Sequence, residues 1–297
     1  MKTSKKPKII ACIPAYNEEK YIAKVILQTK PYVDEILICN DGSTDMTEQI
    51  AKALGATVIT HPKNMGYGAA LRTLFIEAKK RDPDIMITLD ADAQHNPNEI
   101  PQLIQPILNG EADIVIGSRF LGETKQPTWR KLGIKTITWL TKKTYKIQNL
   151  TDAQSGYRAY SRKAIQLITP EDSDMGASID ILYQAKKNNL KITEKPIQIL
   201  YHEEASTQNP ITHGSKIITR ILQLVTEESP LKILGIPGII LTIIGMITAT
   251  YLIYVFNQTR YFSIPIALIT IGALFIGIML FITALILYTI TRLMKKT

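Results

Sequence analysis

The sequence is poor in cysteine: Cys12 and Cys39 are the only two, each inside an apolar run with the pattern of a β-strand. That excludes a disulfide-stapled domain and a cysteine-built metal site, and it fits a reducing compartment in which both thiols serve packing. A secretory core is also lacking. The basic start "MKTSKKPK" is followed by "IIACI" and then at once by polar "PAYNEE", too short an apolar run for a signal peptide. Charge is missing from two long stretches, Ile233 to Phe256 and Tyr261 to Thr291. Each exceeds the roughly 20 apolar residues that cross a bilayer, so two membrane helices are expected. The formal charge of +9 raises nucleic acid as a partner. With two spans attached, anionic lipid and phosphorylated substrates are the expected partners instead, and nucleic acid is not.

The segment between the two runs, "NQTRYFS", has room only for a hairpin turn, so both ends of the pair face one side. Lys216, Arg220 and Lys232 precede the first run, and Arg292, Lys295 and Lys296 follow the second. The positive-inside rule places that side in the cytoplasm. The expected organisation is a cytoplasmic domain over 1–214, an amphipathic juxtamembrane helix over 215–232, a transmembrane hairpin over 233–291 and a basic cytoplasmic tail over 292–297. A second basic, aromatic stretch, Gln126 to Ile147, has the composition of a helix lying in a membrane interface.

Within the first 120 or so residues, short β-rich runs alternate with helical patterns. The runs are "KIIACIP", "EILICN", "ATVIT", "IMITLD" and "ADIVIGS"; the helices fall near Glu19 to Gln28, Thr44 to Leu54, Gly68 to Lys80 and Asn98 to Leu108. Such alternation, with strands apolar on both faces, predicts a Rossmann-like α/β fold around a mostly parallel sheet. Ligands then gather beyond the carboxyl ends of the strands. The polar loops are there: "PAYNEE", "NDGSTD", "HPKNMGYG", "DADAQ" and "GSRF". Each taken alone also reads as a turn or a helix cap; five converging on one cleft read as a site.

Asp90 and Asp92, two apart on a segment taken as extended, point the same way and can share one hard cation. Oxygen ligands suit Mg2+ or Mn2+, which bind through one or two carboxylates plus the phosphates of a substrate. Gln94 supplies either a neutral third oxygen or a hydrogen-bond donor to phosphate. His95 is set aside as a loop residue. Asp41, with Gly42 letting the backbone come close, is placed to hold a base or ribose, and Asn17 and Glu18 have similar opportunities.

These motifs, together with "NMGYGAALR", "DADAQHNP" and "TDAQSGYRAYSR", resemble in order and spacing the family 2 glycosyltransferases of GT-A fold. More closely they resemble the polyprenyl-phosphate (dolichol-phosphate) mannose and glucose synthases, some of which carry two C-terminal membrane helices. The resemblance covers roughly Ile9 to Lys216. It implies that Pro14, Tyr16, Asn17, Glu18, Asp41 and Gly42 bind the nucleotide and that Asp90, Asp92 and Gln94 hold the metal. It also implies that Arg119, with Asp92, belongs to the catalytic set, that Arg119 and Arg130 hold the acceptor's phosphate, and that Lys216 lies on a loop closing over the donor. Two departures stand out: Asn40 where aspartate is common, and Asp180 where glutamate is usual.

The implied reaction is inverting transfer of a sugar from a nucleotide-sugar (GDP-mannose, UDP-glucose or UDP-N-acetylglucosamine) to the phosphate of a polyprenyl or dolichyl phosphate. The sugar, the lipid length and the oligomeric state stay open. A processive polysaccharide synthase shares the strand-end motifs, but such enzymes resemble one another in a Q-x-x-R-W motif, and no Arg-Trp pair occurs here. An inactive membrane-anchored scaffold is the other alternative, against which intact "DADAQ" and Arg119 argue.

Overall fold

The computed structural model describes residues 6–122, 134–135, 138–139, 141–142, 147, 150–173, 176–200 and 230–294. Two compact units separate between Ile221 and Leu222. The first is built on a seven-stranded sheet in the order β3-β2-β1-β4-β6-β5-β7. Its strands are β1 (Ile9–Ala15), β2 (Glu35–Asn40), β3 (Thr57–Thr60), β4 (Ile85–Thr88), β5 (Ile114–Ser118), β6 (Arg158–Ser161) and β7 (Ile192–Pro196). The helices are α1 (Ile22–Thr29), α2 (Thr47–Ala53), α3 (Tyr67–Arg81), α4 (Ile100–Leu108), α5 (Arg162–Leu167) and α6 (Ala177–Lys187).

The five strands expected from the sequence are all present, and β1, β2, β3 and β4 pair in parallel. Every residue of β1 is buried, as a strand covered on both faces requires. Alternation then sorts its side chains: Ile9, Ala11, Ile13 and Ala15 pack with Ile22, Val25 and Ile26 of α1 and Ile100 and Leu103 of α4, which sends Ile10 and Cys12 to the opposite face. Helices α3, α5 and α6 contact one another in a second layer. Cys12 and Cys39 are buried free thiols, and burial pushes Cys39 up to about 12.

Two strands, β6 and β7, lie beyond the five expected, and one of them also departs in direction. β6 runs antiparallel between β4 and β5, and it comes from "TDAQSGYRAYSR", a stretch treated in the sequence as a motif. Its direction matters for the site: because β6 is reversed, the loop before it reaches the rim where the other strands end. β1 sits between β2 and β4, so the chain leaves β1 toward β2 and later returns to β4 on the other side. That is a topological switch point, where α/β sheets open a crevice.

The second unit holds two helices, α7 (Ile236–Thr259) and α8 (Ile264–Met294), preceded by a π-helical turn over Leu231–Gly235. Both are long and apolar enough to cross a membrane, over Leu231–Thr259 and Ile264–Ile290. Their outward side chains, among them Ile247, Ile253, Leu268 and Ile271, are exposed, as lipid-facing residues are. The pair approaches closely at glycine. A Cβ on Gly277 would stand 2.6 Å from Thr242 Oγ1 and 2.8 Å from the Gly238 carbonyl, and Thr270 Oγ1 donates to Thr248 Oγ1 at 2.9 Å across the interface. Small residues that let backbones meet are how membrane helices associate without a hydrophobic driving force. Gly277→Leu is therefore expected to lower the Tm of the detergent-solubilised protein by about 5 °C or more, followed by circular dichroism; an unchanged Tm would mean that this contact contributes nothing.

Candidate active site

Loop by loop, the rim is assembled by side-chain oxygens that accept backbone N–H groups. After β1, Asn17 adopts a left-handed conformation (φ 55°), which turns "PAYNEE" toward the loop after β2. Asn17 N–H donates to Ser43 Oγ, Thr44 N–H to Asn17 Oδ1, and Glu18 N–H to Thr47 Oγ1, at 2.8 to 2.9 Å. Pro14 lies inside β1 opposite Cys39, and Tyr16 is 44% exposed beyond the strand end. Asp41 is buried and ties down the third loop: Met65 N–H and His61 Nδ1–H donate to its Oδ1, and Gly66 N–H to its Oδ2, at 2.7 to 2.9 Å. Gly42 (φ 73°) is required there, since a Cβ would lie 2.4 Å from the Lys63 carbonyl carbon.

The departure at Asn40 has a local reason. Its amide Nδ2 donates to Glu48 Oε2 at 3.1 Å while its Oδ1 accepts from Ser43 N–H. An aspartate would set two carboxylates against each other at this buried position. Asp180 likewise has structural partners: it accepts from Glu171 N–H at 2.6 Å and from Gln184 Nε2 at 3.3 Å.

The geometry around "DADAQH" differs from the sequence expectation in two respects. β4 ends at Thr88, so Asp90 and Asp92 do not alternate on a strand; a turn with Ala93 in the left-handed region (φ 56°) carries them. His95 is not a passive loop residue. It is buried, stacks on Tyr157 with ring centroids 4.9 Å apart, and its Nδ1 accepts the Asp90 backbone N–H at 3.1 Å. Burial holds its pKa down to about 4. Nδ1 therefore carries no proton, and its 3.7 Å approach to Asp90 Oδ2 is no ion pair. Gln94 folds back, donating from Nε2 to Asp92 Oδ2 at 2.6 Å.

Asp90 lies in a recess with 34% of its side chain open to solvent. Burial pushes its carboxyl up to about 6, against the opposing charge of Arg119. Burial and then the charge of Asp90 push Asp92 upward as well. Glu18, across the rim, is raised to about 7 by burial first and then by Asp92 and Asp90. The recess is thus an excess of carboxylate that a cation would relieve. Among the described residues no group of three or more His, Cys, Asp or Glu side chains is arranged to hold a metal by itself. Two carboxylates whose shell a substrate's phosphates complete are what fit.

Gly156 also belongs to this recess. A Cβ there would lie 2.9 Å from Asp90 Oδ1 and 2.8 Å from the Tyr67 hydroxyl, while its carbonyl accepts Thr88 Oγ1–H at 2.7 Å. Arg119, just past β5, is gripped by Asp152: Nε to Oδ2 at 2.6 Å and Nη2 to Oδ1 at 2.7 Å. Asp152 and Gly156 both sit in "TDAQSGYR", a motif visible in the sequence whose internal roles were not. Arg130 and Lys216 lie outside the described residues, as do most of Gln126 to Ile147 and of 215–232.

The model of glycosyl transferase family 2 matches residues 10–168. The chain belongs to this family. A UDP-N-acetylglucosamine–dolichyl-phosphate N-acetylglucosaminyltransferase of Methanococcus voltae is 36% identical over 244 residues, covering 73% of this chain and 95% of that protein. An undecaprenyl-phosphate mannosyltransferase of Micrococcus luteus is 29% identical over 209 residues, covering 66% and 85%. Among solved structures, glucosyl-3-phosphoglycerate synthase from Mycobacterium tuberculosis, crystallised with Mn2+ and UDP, aligns with a TM-score of 0.61 at 24% identity over 73% of this chain and 79% of that one. The sheet is therefore that of the GT-A glycosyltransferases, and the chain is a glycosyltransferase.

Two outcomes follow from this geometry. Gly156→Ala is expected to displace Asp90 and cut glycosyl transfer about a hundredfold with an unchanged circular dichroism spectrum; wild-type rates would show that the close approach is immaterial. The raised carboxyls set a pH dependence. Their contribution to stability is present below the unfolded values of about 4 and is lost as pH rises through about 6 for Asp90 and about 7 for Glu18. Mn2+ or Mg2+ is thus expected to raise Tm more at about pH 7.5 than at about pH 5, and Asp92→Asn to remove that difference. Equal shifts at both pH values would exclude cation binding by the recess.

Proposed function

We propose that the chain transfers a sugar from a nucleotide-sugar to the phosphate of a polyprenyl or dolichyl phosphate, with Mg2+ or Mn2+ at Asp90 and Asp92. The observation that carries this is the pairing of opposite charge at one rim: the acidic recess of Asp90 and Asp92 beside Arg119, whose charge reaches Asp90. One side suits a cation and diphosphate, the other an anionic acceptor. The names of the dolichyl- and undecaprenyl-phosphate transferases among the relatives support the same acceptor.

A lipid phosphate is already largely a dianion at neutral pH, with a second pKa of about 6. It needs no dedicated base. Its oxygen attacks the anomeric carbon in line, the bond to the diphosphate breaks, and the nucleoside diphosphate leaves with the electron pair. Asp90 and Asp92 would hold the cation, whose chemistry there is neutralisation of the charge that grows on the leaving group. Arg119, with Arg130 and Lys216, lowers the repulsion between two anionic substrates and fixes their approach. Asn17, Glu18, Asp41 and Gly42 form the nucleotide's side of the rim, Asp41 by holding the 61–66 loop in place. In this proposal 215–232 is a juxtamembrane helix, α7 and α8 span the bilayer, and the catalytic domain is cytoplasmic, since Lys232, Arg292, Lys295 and Lys296 flank the hairpin.

Membranes carrying the protein, incubated with polyprenyl phosphate and labelled UDP-N-acetylglucosamine, UDP-glucose or GDP-mannose, are expected to yield lipid-linked label with one of them. Asp92→Ala should reduce it by about a thousandfold or more while the protein stays in the membrane. Absence of label with all three donors, with Mg2+ and with Mn2+, would refute the function.

A further inference from the structure

Asp152 is a fully buried carboxylate in the loop that leads into β6. Its grip on Arg119 is two-pronged, with the Arg119 backbone N–H adding a third contact to Oδ2 at 3.2 Å. A fork of this kind fixes the plane of a guanidinium as well as its position. The loop itself is anchored from two other strands. Glu194 of β7 accepts from Thr151 N–H, Thr151 Oγ1–H and Asp152 N–H, at 2.9, 2.5 and 3.0 Å. Ser118, the last residue of β5, meets Thr151 Oγ1 at 2.6 Å; since that hydroxyl's proton goes to Glu194, Ser118 is the donor. At the loop's far end the buried Arg158 donates to the carbonyls of Ala153, Ser155 and Ser178.

We propose that Asp152 is a positioning residue: held by Glu194 and Thr151, it fixes the orientation of Arg119 toward the acceptor's phosphate. Both of its oxygens already accept hydrogen bonds and it has no exposed surface, so it does not serve as a base. This rests on the lipid-phosphate acceptor proposed above, and the closing experiment separates the two.

The full-length protein in detergent is assayed for kcat and for the KM of polyprenyl phosphate and of the nucleotide-sugar, in wild type, D152N, R119A and the double variant. Binding of polyprenyl phosphate without donor is measured in parallel. D152N is expected to raise the lipid-phosphate KM by about tenfold or more with the nucleotide-sugar KM within about twofold, the latter also showing that the variant is folded. The double variant should match R119A within about twofold, because Asp152 acts only through Arg119. E194Q, which loosens the anchor without touching the fork, should raise the same KM by a smaller factor and serves in place of D152N if that variant does not fold. Effects of D152N and R119A that multiply, or equal rises in both KM values, overturn the positioning role alone. A wild type that neither binds nor glycosylates polyprenyl phosphate overturns the function and this role with it.

Discussion

Carboxylates that burial makes costly to ionise dominate the rim of this sheet. Burial raises Asp90, Asp92 and Glu18, the charge of Asp90 raises Asp92 further and both aspartates raise Glu18, and a fold that confines like charges must hold them by other means. Here the means are backbone and shape. The turn after β4 is pinned by His95 through the Asp90 N–H, by Gln94 folded onto Asp92, and by the isolated bridge between His95 and Ile199 beyond β7. Neutral imidazole is the right partner for this task, since it accepts an N–H without adding charge.

The same economy recurs around the rim. Asn17, Asp41, Ser43, Thr47 and Asp45 all accept backbone N–H groups from a neighbouring loop, so loops distant in sequence are fastened without apolar packing. Glycines complete the arrangement where no side chain fits: Gly42 against Lys63 and Gly156 against Asp90. On the β5 side, Asp152 holds the Arg119 guanidinium in a two-pronged pair, and Glu194 holds the loop that carries Asp152.

Much of this was legible in the sequence because its cause is local. Strands covered on both faces need uninterrupted apolar runs, and "IIACIP" and "EILICN" supply them; a pair of helices long and apolar enough to cross a membrane needs length and lack of charge, and 233–256 and 261–291 have both. What escaped depended on contacts between distant segments. The reversed strand β6 is short and reads like its parallel neighbours, because hydrophobic pattern carries no direction. His95 looked like an outward neighbour of Gln94 only under the assumption of an extended segment, which the left-handed Ala93 breaks. Asp152 and Gly156 were visible as letters of a motif, but their partners, Arg119 and Asp90, lie more than 30 and 60 residues away.

The sequence by itself determined the α/β order, the polar strand ends and the two charge-free helices, since propensity, periodicity and the cost of burying charge act over a few residues. Only the tertiary structure decided which charges face which. Direction at the rim comes from strand reversal, from a fork 33 residues apart in sequence and from the space left by a missing Cβ, and none of these leaves a local trace.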